Sequence, residues 1–279
     1  TEVVGMHHAA PASIQCPCCT QPLHPAYIKA GAGQPIVLVH GLGSSVLDWE
    51  QQIDYLSQFY QVYALDLPGH GLSDKLKGPI QMSDFADDVA NFIAAMDIQP
   101  CFVIGISMGG MITLQLLTQS PELVHAAAII NSAPNFDSLK IRLIIMLRII
   151  LLRVFGPKLL ARTVANNLFT PSQKKYREIA SQRIAATDRN SYILSLKAIF
   201  GWSVLDALKT VDKKLLVITG DRDYTPVSHK QEYVAKLNNA HLEIVRDSGH
   251  ATPIDQPGRL NTLLHEFLAS NLPAVAQSS

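Results

Sequence analysis

Cys101-Phe102-Val103-Ile104-Gly105-Ile106-Ser107-Met108-Gly109-Gly110 is the stretch that decides how this chain is read. Its first four residues form an apolar run without a polar face, as a strand buried on both sides does. A helical stretch, Met111 to Gln119, comes after it. A Gly-x-Ser-x-Gly sequence between a buried strand and a helix has the context of a nucleophile elbow. The spacing has a steric cause. A sharp strand-to-helix turn strains the backbone at the serine, and Gly105 and Gly109, lacking side chains, let neighbouring chains approach. Ser107 is then lifted to a helix N-terminus, where amide groups and the helix dipole favour a developing negative charge.

Working outward, short apolar runs recur at 36–39, 62–65, 127–130, 215–218 and 242–245. Phe85, Val89, Phe92, Ile93 and Met96 mark a helical stripe with Ser83 as its N-cap, and Leu260, Leu263, Leu264, Phe267 and Leu268 mark another opened by Pro257. Strands alternating with helices predict an α/β fold with a doubly wound, mainly parallel sheet. The alternation stops after Ser132 and resumes near Leu215. The expected organisation is an irregular N-terminal arm over 1–25, a core over 26–134 and 206–279, and a helical cap insertion over 135–205. That insertion holds twelve Lys/Arg and three Asp/Glu, a net of +9, while the whole chain is formally neutral. The remainder therefore carries −9.

The neutral total gives no electrostatic reason to expect a nucleic-acid partner, and 48% apolar residues support a sizeable core. Cys16, Cys18 and Cys19 crowd the arm and Cys101 stands alone, a pattern that favours a reducing compartment. The residues present show no secretory signal pattern. The most apolar run, Ile141 to Phe155, is interrupted by Arg142, Arg148 and Arg153 and is too short to span a bilayer. A cytoplasmic protein, at most peripheral to a membrane, is the expectation.

The elbow, together with Val39-His40-Gly41-Leu42-Gly43 and Asp66-Leu67-Pro68-Gly69-His70-Gly71-Leu72-Ser73, resembles the α/β-hydrolase family in motif and order, through most of residues 26–270. Ile106 departs from the polar residue many relatives carry there. The resemblance implies a serine nucleophile at Ser107 and an oxyanion hole made by the backbone N–H groups of Leu42 and Met108. A serine hydroxyl needs a base, and the base needs an orienting carboxylate. By family order the base is His250 in Ser248-Gly249-His250-Ala251, after the last strand-like run. The acid is Asp223, which matches the family's Gly-x-x-Asp spacing after Thr219; Asp221 as a turn residue and Asp137 as an alternative acid stay open. The other histidines read as loop-ordering (His40, His70), partly exposed (His125, His229, His241, His265) or in the arm (His7, His8, His24).

The implied reaction is hydrolysis of a carboxylic ester with an apolar or medium-chain acyl group, through an acyl-enzyme and without metal or organic cofactor. Lactone, thioester, carbon–carbon or perhydrolytic chemistry would use the same residues, and a non-catalytic binding protein is a further alternative. Epoxide and haloalkane hydrolysis are disfavoured, because relatives of those kinds place Asp where Ser107 stands. The Cys16-Pro17-Cys18-Cys19 cluster lacks a two-pair zinc spacing. The helix expected over 139–160 is apolar nearly all round, so it is either packed on the core as a roof or set against lipid; its positive charge suits an anionic membrane or an anionic substrate.

Overall fold

In the computed structural model, residues 25–273 are described, together with a two-residue antiparallel pair, Ile14–Gln15 with Pro22–Leu23. The cysteine cluster and His7, His8 and His24, expected in an irregular arm, lie outside the described residues, as do the last six of the chain.

Seven strands form one sheet: β1 (Tyr27–Ala30), β2 (Pro35–Val39), β3 (Gln61–Leu65), β4 (Cys101–Ile106), β5 (Val124–Ile130), β6 (Leu215–Gly220) and β7 (Ala240–Val245), in the order β1-β3-β2-β4-β5-β6-β7. All neighbours are parallel except β1, which pairs antiparallel with β3 from Tyr27 opposite Leu65. The sequence pattern does not mark β1. Only four residues long, with Lys29 exposed, it has too little period to show. The central strands are fully buried because helices cover both faces. Alternate residues of β2 go to opposite cores, Val37 and Val39 to one and Ile36 and Leu38 to the other.

One face carries α2 (Met82–Ala95) and α3 (Met108–Gln119), and the other carries α1 (Glu50–Leu56) and, at the end of the described chain, the helix Pro257–Ser270. Pro257 stands in the first turn of that last helix. The expected cap of α2 at Ser83 is displaced by two residues. Gln81 is the N-cap, and its N–H is held by the Asp84 carboxylate at 2.8 Å, a reciprocal bond that Ser83, already inside the helix, cannot make.

Between β5 and β6 the chain forms α4 (Leu139–Phe155), α5 (Pro157–Leu168), α6 (Lys174–Ala186) and α7 (Arg189–Ile199), closed at its base by a bridge between Asn135 and Ser203. No strand interrupts these helices. Gly156, at φ 81°, ends α4 and lets α5 start at once on Pro157. A short helix, α8 (Leu205–Leu208), precedes β6, α9 (Val227–Val234) lies between β6 and β7, and α10 (Thr252–Asp255) follows β7, before α11, the Pro257–Ser270 helix. No helix among the described residues is long and apolar enough to cross a membrane.

Candidate active site

β4 ends at Ile106, and Ser107 follows at φ 54° and ψ −117°, a left-handed conformation that an L side chain rarely adopts. The strain is held by bonds from three sides. Ser107 N–H donates to the Ile130 carbonyl at 2.9 Å, the Ser107 carbonyl accepts from Ser132 Oγ at 2.8 Å, and it accepts again from Met111 N–H at 3.1 Å. Glycine is required around it. A Cβ on Gly105 would overlap the Gly109 carbonyl, and one on Gly109 would overlap the Val39 carbonyl. The loop after β2 passes just as close: a Cβ on Gly41 would meet Ser107 Cβ at 3.3 Å, so the backbone leading into Leu42 lies against the serine side chain. Met108, the first residue of α3, has no intrahelical acceptor for its N–H.

That loop is fixed by buried histidines. His40 Nδ1 donates to the Gly41 carbonyl at 2.7 Å, and its Nε2 accepts from Leu67 N–H at 3.0 Å, so one neutral tautomer satisfies both ring nitrogens. Burial lowers the His40 pKa to about 4, partly offset by the bond to Gly41. His70, 5.3 Å away between ring centres, is lowered to about 3 by burial and then by His40. Asp66 ties the second loop by accepting from Val46 N–H and Leu72 N–H, each at 2.8 Å. These residues order backbone and have no exposed reactive face.

The turn after β6 and the loop after β7 bring Asp223 and His250 together. His250 Nδ1 donates to Asp223 Oδ1 at 2.7 Å, which leaves the lone pair on Nε2. Burial would raise the Asp223 carboxyl, but the charge and hydrogen bond of His250, then those of Lys230, hold it well below the usual carboxylate range. Asp221 instead accepts from Ser248 N–H at 3.3 Å, and Asp137 is an exposed partner of Arg142 at the start of α4.

Several residues here escaped the sequence reading. Lys230 on α9 is fully buried and donates to Asp223 Oδ2 at 2.7 Å and to the Thr225 carbonyl at 2.6 Å. Its position seven residues beyond Asp223 carries no motif that would have marked it. Asn131, at φ 48° just past β5, donates through Nδ2 to the carbonyl of His250 and to Thr252 Oγ1, each at 2.8 Å, and accepts from Gly220 N–H at 2.9 Å. It therefore clamps the acid-bearing and histidine-bearing loops to one another. Tyr224 stacks on His250, with ring centres 4.2 Å apart, and donates its hydroxyl to Nε2 at 3.1 Å. Burial pushes its phenol up to about 12.

Ser107, Tyr224 and His250 line a cavity of about 340 Å³, roofed by Ile141, Ile145 and Arg148 of α4. His229 also faces it, a role that its read as a partly exposed helix residue did not suggest. Arg148 stands close enough to Tyr192 and Tyr224 for its charge to favour their ionised forms, against the dominant effect of burial. Among the described residues it has no carboxylate within ion-pair distance. A larger cavity of about 480 Å³, bordered by Asp66, Leu72 and Arg183, contains neither Ser107 nor His250. Cys101 is buried on β4 and its thiol is pushed up to about 12 by burial, which leaves it inert.

A family model described as the alpha/beta hydrolase family matches residues 36–263. Among curated proteins, 3-oxoadipate enol-lactonase 2 of Acinetobacter baylyi is 26% identical over 231 residues, covering 81% of this chain and 85% of the relative. (E)-2-((N-methylformamido)methylene)succinate hydrolase of the same organism is 39% identical, but over 105 residues, 38% of this chain and 40% of that protein. A thermophilic esterase from Thermogutta terrifontis superposes with a TM-score of 0.86 at 21% identity, covering 94% of this chain and 99% of the other. The enol-lactonase from Burkholderia xenovorans LB400 gives 0.84 at 22%, with 92% and 100% covered. At these identities the structural likeness speaks for the fold.

Proposed function

Because the chain belongs to the α/β hydrolase family and is a hydrolase of that fold, we propose that it cleaves carboxylic esters through an acyl-enzyme on Ser107, with His250 as base and Asp223 as its orienting acid. The observation that carries this reading is the 2.7 Å bond from His250 Nδ1 to a fully buried Asp223, beside a serine held in a strained elbow. Ser107 Oγ attacks the ester carbonyl carbon while its proton passes to His250 Nε2, and Asp223 stabilises the resulting imidazolium. Negative charge on the carbonyl oxygen is received by the N–H groups of Leu42 and Met108, where losing one donor costs about 3 kcal/mol of transition-state stabilisation. Collapse of the tetrahedral intermediate breaks the bond to the alcohol, which leaves with the proton from His250. Water, deprotonated by the same imidazole, then releases the acid and frees Ser107. These steps call on no metal or organic cofactor.

The helices between β5 and β6 act as the cap that selects substrate. Ile141, Ile144, Ile145, Val164, Leu168 and Leu196 give the cavity an apolar wall suited to an alkyl acyl group of medium length. One observation favours a second reading: Arg148 is a cation without a carboxylate partner in that wall, and it suits an ester or lactone bearing its own carboxylate. Relatives named as an enol-lactonase and a succinate-derivative hydrolase accord with it. A panel of matched esters, neutral or ω-carboxylated and graded in chain length, separates the two. A kcat/KM preference for neutral medium chains supports the first, and a preference for the ω-carboxylates that Arg148→Met abolishes supports the second. A folded protein inactive on every ester contradicts both.

A further inference from the structure

α4 is a partition: one side lines the cavity through Ile141, Ile144, Ile145 and Arg148, and Ile145 and Leu152 are buried. The opposite side is exposed and apolar. Leu139, Leu143, Leu147, Ile150 and Val154 recur at steps of four, four, three and four residues, a single stripe of helical period, and each is 50–84% exposed. Met146 widens the stripe, and Leu159 extends it onto α5. An apolar stripe of this length over about 26 Å of helix is unusual on a surface that faces only water.

Charge decides what covers it. From Ser138 to Arg177 there are nine Lys/Arg and no Asp/Glu. Lys140, Arg153, Lys158 and Arg162 are exposed on α4 and α5, the two helices that carry the stripe. Arg142 alone among the α4 cations is neutralised, by Asp137. A second copy of the chain docked stripe to stripe would set these unpaired cations against an identical set, a like-charge apposition that opposes association. A sheet of anionic lipid headgroups over acyl chains complements both features at once, with apolar side chains entering the headgroup–acyl boundary and cations meeting phosphates.

We propose that α4 and the start of α5 form an interfacial docking surface for anionic phospholipid membranes, with α4 lying in the plane of the interface. Docking in this orientation sets the Ser107 cavity directly behind the lipid boundary, separated from it by one helix.

The test is flotation of the full chain with vesicles of phosphatidylcholine alone or of phosphatidylcholine mixed with phosphatidylglycerol. The chain is expected to float with the anionic vesicles and to be released by raised salt. Arg153→Gln/Lys158→Gln/Arg162→Gln is expected to lower the partition coefficient by about 100-fold, and Leu143→Gln/Leu147→Gln to abolish flotation. None of these five residues lines the Ser107 cavity, so melting temperature and activity toward a water-soluble ester serve as controls for folding. Equal partitioning onto neutral and anionic vesicles overturns the proposal. So does an absence of flotation, whether the chain stays monomeric or shows a concentration-dependent dimer that Leu143→Gln/Leu147→Gln dissociates.

Discussion

Tyr224 places its hydroxyl on His250 Nε2, 3.1 Å away, the atom that receives the Ser107 proton in the proposed mechanism. In that resting arrangement the phenol competes with Ser107 for one lone pair, and it has to turn aside before the base can work. A neutral hydrogen bond of this kind contributes about 1 kcal/mol net, which corresponds to roughly five-fold in rate. Tyr224→Phe keeps the ring stacked on the imidazole and removes only the competitor. Its kcat/KM on a small ester is expected to rise by up to about five-fold, with the melting temperature lowered by no more than about 4 °C. A fall of ten-fold or more in steady-state kinetics would instead make the hydroxyl a participant in the reaction. Lys230 belongs to the same scale: it neutralises the far oxygen of Asp223 and fixes the carboxylate plane, leaving Oδ1 for His250.

Between elements, the site is assembled by the loops after β4, β5, β6 and β7, and Asn131 is the joint. Its amide reaches the His250 carbonyl, Thr252 and Gly220 N–H, all buried, so Asn131→Ala leaves several polar groups without partners. A loss of about 2–3 kcal/mol in urea unfolding is expected, with kcat falling more than KM changes as the His250 loop loosens. An unaltered kcat would show that the loop is held by other means, for example by the His250 N–H bond to the Leu168 carbonyl. Elements with strong period were legible in the sequence. The runs that became β2 to β6 are continuously apolar because both faces are covered, whereas β7, at the sheet edge, carries Glu243 in its run and is only partly buried; the elbow is legible because only glycine fits at 105 and 109. β1 was not, since Tyr27–Ala30 takes its place by backbone pairing to β3 more than by apolar pattern. Asn131, Ser132, Tyr224 and Lys230 were equally silent. Their roles come from contacts between loops distant in sequence, which no local spacing encodes.

At the scale of the whole molecule, stability carries a cost at Asp88. Both of its carboxylate oxygens are buried on α2 without a hydrogen-bond partner. Burial, then the nearby Asp84 and Asp87, raises its pKa to about 7. Because the folded pKa lies above the unfolded value of 3.8, the unfolded chain releases this proton first as pH rises. Stability is therefore lost between about pH 4 and 7 and changes no further above. Asp88→Asn is expected to gain roughly 1–3 kcal/mol over the native chain at pH 8 and almost nothing at pH 4. Denaturant unfolding at the two pH values checks this, and an equal gain at both would assign the effect to packing.

Across the whole molecule, a formally neutral chain carries a strongly basic helical layer, α4 to α7. Everything proposed about substrate depends on Ser107 being the nucleophile. The direct measurement is intact-protein mass spectrometry after exposure to a fluorophosphonate, with the native chain, Ser107→Ala and His250→Gln compared. The expected result is a single adduct on the native chain that maps to Ser107, none on Ser107→Ala, and strongly slowed labelling of His250→Gln. A folded native chain that never labels, or one that labels equally with Ser107 replaced, would contradict it.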